Sequence, residues 1–292
     1  MIESVQAQTY GDWELCLADG SGDGSLTQIV SAYREKDSRI RYERLEKNLG
    51  IAGNTNAALA MANGDYIVLL DHDDVLTEDA LYQCAFRICE EAARGKTAEV
   101  LYSDEDKLAV KKGRSFYFDP HFKPDFNPDL LRSMNYISHL LVVKKSLADL
   151  TGGFRVEFDG SQDYDFIFRC VEKAETVCHI PRVLYHWRVS ESSTAEDPEK
   201  KKYAFEAGAR AIKAHCERMG LGAVQVLQNE VLGAYRVVYP VKGNPKVSVI
   251  IPNKDHTEDL GVCVKSLMQA SYKNIEVIIA ENNSTEEETF EY

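Results

Sequence analysis

A short apolar run, Tyr66-Ile67-Val68-Leu69-Leu70, stops at Asp71-His72-Asp73-Asp74, and Thr77 then opens a helix with Glu78 and Asp79 in its first turn. An apolar run this short, bounded by turn residues, reads as a buried strand, because helices need roughly twice the length. Carboxylates therefore crowd the C-terminal end of a strand. In open α/β sheets that edge is where ligands bind, and carboxylates gathered there repel one another unless a cation or hydrogen-bond donors compensate. A hard divalent cation such as Mg2+ or Mn2+ takes one or two carboxylates and completes its shell with water and phosphate oxygens. Asp71 and Asp73, with Asp74 beside them, are candidates for a metal–diphosphate site. The same residues also suit a solvated acidic turn capping the next helix.

The pattern recurs along the chain. A strand over 13–18 ends in Asp19, and a Gly/Ser/Asp turn leads through the N-cap Ser25 into an amphipathic helix over 26–36. A strand over 40–45, a loop over 48–54 and a helix closed by Gly64 precede the opening strand. A long helix over 77–94 and a strand over 99–102 follow, the latter ending in Ser103-Asp104-Glu105-Asp106. Strands alternating with helices predict an α/β fold with a mostly parallel sheet and helices on both faces. From Phe116 to Asn135 the chain is rich in proline, aromatic residues and asparagine, a composition suited to a binding wall over the sheet. A strand over 137–143 and the turn Gly152-Gly153-Phe154 come next, and Ser161 can cap a helix over 163–174. That places Asp163 in a first helical turn, where acids favour the dipole whatever else they do. Short extended pieces over 176–181 and 183–187, a polar loop over 191–197 and a long helix over 198–219 complete the unit.

The end of the chain repeats its beginning. Ser266 to Glu281 aligns with Ser4 to Asp19 at a constant offset of 262, with Tyr272 on Tyr10, Glu276 on Glu14 and Ala280 on Ala18. The second copy has a strand over 247–251 that the first copy lacks. The expected organisation is one domain over 1–220 without its first strand, a connector of two strands around residues 229–233 within 221–245, and the start of a second repeat over 246–292. The strand over 247–251 could fill the vacant place within the chain, or by exchange between two chains of a homodimer.

With 292 residues, a net charge of −13 and 44% hydrophobic content, the chain can bury a sizeable core, and its charge disfavours nucleic acid or anionic lipid as a principal partner. No apolar run approaches the roughly 20 residues of a membrane helix, and the first ten residues lack the basic and apolar segments of a secretion signal. The seven cysteines are odd in number and lack Cys-x-x-Cys spacing, so neither a disulfide framework nor a zinc site is indicated. A reducing cytoplasm is expected, with peripheral attachment to the inner face of the membrane as a variant.

Four motifs occur together in order: Ala18-Asp19 with Asp23 and Ser25; Asn48-Leu49-Gly50 with Asn56 and Gly64-Asp65-Tyr66; Asp71-His72-Asp73-Asp74; and Gly152-Gly153-Phe154 followed by Gln162-Asp163. With them the chain resembles the family 2 inverting glycosyltransferases of the GT-A fold, and its repeat resembles tandem bacterial enzymes of cell-surface polysaccharide assembly. The resemblance implies a nucleoside-diphosphate sugar donor, a saccharide acceptor that in some cases is lipid-linked, and a divalent metal. By position, Asp19 matches the acid that meets the nucleotide base, with Asp23 as the alternative. Asp71 matches the acid near the ribose, Asp73 the metal ligand, and Asp163 the general base. Gln162 stands where the family has an acid. His186 and Arg188 match a late segment that reaches metal or diphosphate, and Ser190 stands where some relatives have histidine. Asp104 and Asp74 are further acids for the same site.

A reading from another class is a non-catalytic module that binds a nucleotide sugar or scaffolds a neighbouring domain, since the absent first strand would normally wall the base pocket. A nucleotidyltransferase would require a Gly-rich phosphate loop near the first strand, which the sequence lacks.

Overall fold

The computed structural model of the protein describes residues 1–111, 113–189, 198–229, 231 and 233–292, which form two compact units, Met1–Tyr239 and Pro240–Tyr292. In chain order the first unit runs α1 (Ile2–Gln6), β1 (Leu15–Asp19), α2 (Ser25–Arg34), β2 (Ile40–Arg44), α3 (Gly50–Met61), β3 (Tyr66–Leu69), β4 (Val75–Leu76) and α4 (Ala80–Ala93). It continues with β5 (Val100–Lys111), β6 (Arg114–His121), α5 (Pro128–Ser133), β7 (Leu141–Lys144), α6 (Lys145–Thr151), α7 (Gln162–Val171), β8 (Val177–Arg188), α8 (Pro198–Arg218), β9 (Gln225–Gln228) and β10 (Tyr235–Val238). The expected polar loop over 191–197 and Ser190 lie outside the described residues, as do residues 230 and 232 of the expected turn over 229–233.

β5 is the centre of a six-stranded sheet in the order β3-β7-β5-β8-β4, with β6 returning along β5. Its side chains alternate between two cores, as the period of a strand requires. Val100 and Tyr102 face a core built with Leu141, Val143, Phe166 and Phe168, whereas Leu101 faces one built with Val142, Ala80, Cys84 and Leu184. Helices α7 and α8 cover the first face, and α1 and α4 the second. The α/β class with helices on both faces holds.

The expected predominance of parallel pairing is corrected. Within this sheet only β5 and β8 run parallel; β3–β7, β5–β7, β5–β6 and β4–β8 are antiparallel. Strand β7, late in the chain, inserts between β3 and β5 and runs opposite to both, an arrangement that depends on spatial neighbours and not on element order. Strands β1 and β2 form a separate parallel pair. Neither β1 nor β3 has a second strand partner among the described residues, so each keeps one open edge.

Of the residues expected as a connector, 221–239 fold with the first unit: β9 and β10 form an antiparallel pair, and buried Tyr235 donates from its hydroxyl to Phe205 O at 3.0 Å. The second unit contains β11 (Val247–Asn253), α9 (Thr257–Met268), β12 (Ile275–Glu281) and α10 (Glu287–Glu291), with β11 parallel to β12. At the aligned strand ends the two segments share a local contact. Glu281 accepts from Ser284 N and from Asn283 N, as Asp19 accepts from Ser21 N at the end of β1. No helix among the described residues is long and apolar enough to cross a membrane.

Candidate active site

The acidic turn Asp71-His72-Asp73-Asp74 follows β3 and is pinned from β8. Arg188 donates from its backbone N to Asp74 Oδ1 at 2.7 Å and from Nε to Asp73 O at 2.7 Å. The Tyr185 hydroxyl donates to Asp74 Oδ2 and accepts from Asp71 N. Asp74 is thereby buried, while Asp71 stays exposed and the Asp73 carboxylate half-exposed. Burial pushes the Asp74 carboxyl above the usual carboxylate range, with Asp71 and Asp73 adding to the rise against the hydrogen bonds from Tyr185 and Arg188.

Ligand atoms of Asp71, Asp74 and His139 all lie within 4.8 Å of one another. The His139 ring is held flat against Tyr185, with centroids 4.6 Å apart and planes 9° apart. Its backbone oxygen accepts from the Lys123 ammonium, which is wholly buried, bonds Ile137 O at 2.9 Å and lies 3.5 Å from Glu105. Two carboxylates and an imidazole at this spacing are a donor set able to hold a divalent metal ion. The converging acids are Asp71 and Asp74; the Asp73 side chain is not in this trio.

Asp163 sits at the start of α7, half-buried, with Asn135 Nδ2 donating to its Oδ2 at 2.8 Å. Loss of solvation raises its pKa, the nearby charge of Asp71 adds to the rise, and His139 and Asn135 work against it. Asp163 thus shares an electrostatic environment with the Asp71–Asp74–His139 cluster. The helix that carries it is locked by its own sequence. Arg169 donates to Thr151 O and Gly153 O, each at 2.6 Å, and pairs with fully buried Asp165, which also takes Arg155. From the other side, Asn56 on α3 bonds Phe154 N and O, each at 2.8 Å. A Cβ on Gly153, whose φ is +69°, would come within 2.6 Å of Asn56 Oδ1, so this turn of the Gly-Gly-Phe motif excludes side chains.

The remaining candidates go elsewhere. Asp19, buried at the end of β1, accepts from Tyr42 Oη at 2.6 Å and Ser21 N at 2.8 Å; burial opposes its ionisation, but these bonds prevail and hold its pKa below the ordinary value. Asp23 accepts from Ser25 N at 2.8 Å, at the start of α2. Gln162 accepts from Gly160 N at 2.9 Å. Asp104 lies inside β5, not at a strand end: β5 continues to Lys111, and buried Asp104 is taken by His179 Nε2 at 2.8 Å and Lys123 N at 2.9 Å. His186 faces away from Tyr185 and pairs with Asp106 at 2.5 Å beneath the Tyr117 ring. Arg188 anchors the acidic turn.

Sequence reasoning missed Asn135 and His139. They bracket the buried pair Tyr136-Ile137 just before β7. Because β7 is antiparallel to β3, its beginning lies at the same sheet edge as the end of β3. Polar residues at the start of a buried strand were the available signal.

Residues 1–153 match the family described as Glycosyl transferase family 2. The chain belongs to this family. Two curated relatives align along nearly the whole chain: the uncharacterized protein y4gI of Sinorhizobium fredii, at 40% identity over 100% of this chain and 32% of its own length, and the O-antigen biosynthesis protein RfbC of Myxococcus xanthus, at 38% over 99% and 22%. The chain therefore spans about a third of these relatives or less. Among solved structures, residues 1–349 of S. aureus TarS in complex with UDP-GlcNAc superpose with a TM-score of 0.54 at 19% identity, covering 74% of this chain and 68% of that one. The same TarS fragment with UDP gives 0.52 at 21%, covering 74% and 67%. The fold is the GT-A fold of family 2 glycosyltransferases.

Proposed function

We propose that this chain carries a glycosyltransferase site that moves a sugar, with inversion, from a nucleoside-diphosphate sugar to a saccharide acceptor in bacterial cell-surface polysaccharide synthesis. The observation that carries the reading is the position of Asp163, a carboxylate with a raised proton affinity beside the Asp71–Asp74–His139 cluster. A base of this kind suits removal of a proton from a hydroxyl. The acceptor hydroxyl donates its proton to Asp163 while its oxygen attacks the anomeric carbon, and the bond to the nucleoside diphosphate breaks on the opposite face. Asn135 orients the carboxylate through its 2.8 Å bond. Asp71, Asp74 and His139 would hold a divalent cation, which when bound supplies neutralisation of the diphosphate charge. Asp19 is assigned to the base of the nucleotide, where a carboxylate kept ionised can accept from an imide N–H.

A uridine nucleotide is the first donor to test, because TarS structures hold UDP and UDP-GlcNAc, and a role in O-antigen-type synthesis accords with the description of RfbC. Calorimetric titration with UDP, GDP and dTDP, each with and without Mn2+, tests the reading. Metal-dependent binding of one nucleotide that is lost in Asp74→Ala and Asp71→Ala is expected. Absence of nucleotide binding under every condition overturns it.

A further inference from the structure

Beyond the acidic cluster, the sheet carries a line of half-exposed aromatic side chains on the face that bears Tyr185. Register places Glu105 opposite Tyr185 on β8 and opposite His121 on β6. Two residues further along, Lys107 lies opposite Trp187 on one side and Phe118 on the other. Directly paired residues share a face, so Trp187, Lys107 and Phe118 form one row across three strands, about 7 Å beyond the Tyr185 row. Phe116, opposite Ala109, extends the line. The first row is buried at Tyr185, whereas Trp187 is 44% exposed, Phe118 44% and Phe116 48%. The line is continuous with the cluster, since the His139 ring that lies against Tyr185 is 6.2 Å from Trp187. Among the aromatics stand polar groups: the Lys107 ammonium lies 6.0 Å from the Trp187 ring and 2.5 Å from Asp119 Oδ2.

We propose that the row Trp187–Lys107–Phe118 is the platform on which a pyranose ring of the saccharide acceptor stacks. This rests on the transfer reading above and narrows its acceptor side. A pyranose presents a face of C–H bonds, which the electron-rich face of an aromatic ring attracts, and an edge of hydroxyls, which need donors and acceptors. The row offers both at once. Single aromatic side chains separated by a lysine and bordered by an aspartate do not make the broad apolar core of a protein interface. The opposite face of the sheet supplies an internal control, because Tyr117 on β6, likewise exposed, packs there against His186 and away from the row.

The test is saturation-transfer NMR of the full chain with methyl α-L-rhamnopyranoside, methyl β-D-galactopyranoside and chitobiose, with tryptophan fluorescence as a second readout. At least one sugar is expected to show contact at its C–H protons. Affinity should fall about ten-fold in Trp187→Ala and Phe118→Ala, remain within two- to three-fold in Trp187→Phe, and be unchanged in Tyr117→Ala. Absence of binding by all three sugars, equal weakening by Trp187→Ala and Tyr117→Ala, or a row that binds phosphatidylglycerol vesicles in place of sugars overturns the proposal. UDP titration with Mn2+ separates the two readings. If sugars bind through Trp187 but no nucleotide binds, the platform stands and the transfer reading falls. If nucleotide binds and no sugar does, the reverse holds.

Discussion

Asn135 Nδ2 donates to Asp163 Oδ2 across 2.8 Å, joining the segment before β7 to the first turn of α7. Burial raises the proton affinity of Asp163, and this bond is one of the contacts, with the charge of His139 and the backbone N–H of Tyr164, that favour the charged carboxylate against it. Asp163→Asn is expected to lower transfer by about 10²–10⁴-fold. In Asn135→Ala the carboxyl pKa rises further, so the acidic limb of the kcat/KM profile should move to higher pH. A pH–rate series on the two variants and the parent checks this; an unmoved limb in Asn135→Ala argues against Asp163 as the base.

Asp163 also makes a prediction about stability. Its proton affinity is higher in the folded chain than in the unfolded one, so above the ordinary value of 3.8 the folded state retains a proton that the unfolded state has released. Its contribution to stability therefore falls as pH rises through that window. Asp163→Asn should be more stable than the parent at neutral pH, the gain shrinking toward pH 4. Thermal melts across this range decide it, and a gain independent of pH is the contrary result.

Lys123 is the buried support of His139. Its pKa is depressed to about 8 by burial, with Glu105 opposing. Lys123→Met removes the charge partner of Glu105 and leaves the Ile137 and His139 carbonyls without their donor, and should cost about 3 kcal/mol, as breaking buried pairs does. Between pH 8 and the usual 10.5 the unfolded lysine binds more protons than the folded one, so the parent should gain stability relative to the variant on alkalinisation. Urea denaturation at pH 7 and pH 10 measures both.

Arg169 joins α7 to the Gly-Gly-Phe turn through Thr151 O, Gly153 O and Asp165. Arg169→Ala is expected to destabilise the fold by about 3–5 kcal/mol, because Asp165 stays buried with only Arg155 as partner. The denaturation midpoint reports it, and a shift within about 0.5 kcal/mol would be that of an ordinary surface substitution.

The second unit forms its own ladder between β11 and β12. A chain ending at residue 240 should therefore keep the melting temperature of the first unit and the oligomeric state of the parent. Size-exclusion chromatography with light scattering and a melt are sufficient. Conversion of a dimer to a monomer on truncation would instead favour exchange of β11 between chains.

Part of the candidate site was legible because its signals are local. A run of five apolar residues followed by acids announces a strand end, and the acids at 19 and 71 are found at strand ends in the structure. Ser161-Gln162-Asp163 announces a helix start, and Asp163 is in that first turn. Asp104 misled for the same local reason: Ser103-Asp104-Glu105-Asp106 looks like a strand end, yet β5 runs on through it as half of a long hairpin with β6. Pairing with β6 and β8 gives those polar residues neighbours that satisfy them inside the sheet.

The sequence by itself determined the α/β class and the family, because periodicity, caps and motifs are written in adjacent residues, but not the hairpin of β5 and β6 or the short strand β4. Which side chains meet was decided by tertiary structure alone. Insertion of β7 antiparallel to β3 brings Asn135 and His139 to the edge where Asp71 and Asp74 stand. Register on β8 turns Tyr185 and Trp187 to one face and His186 to the other. A carboxylate 65 or more residues from its partner in the chain finds it only through strand pairing and side-chain alternation, and a shift of one residue in either would exchange the faces.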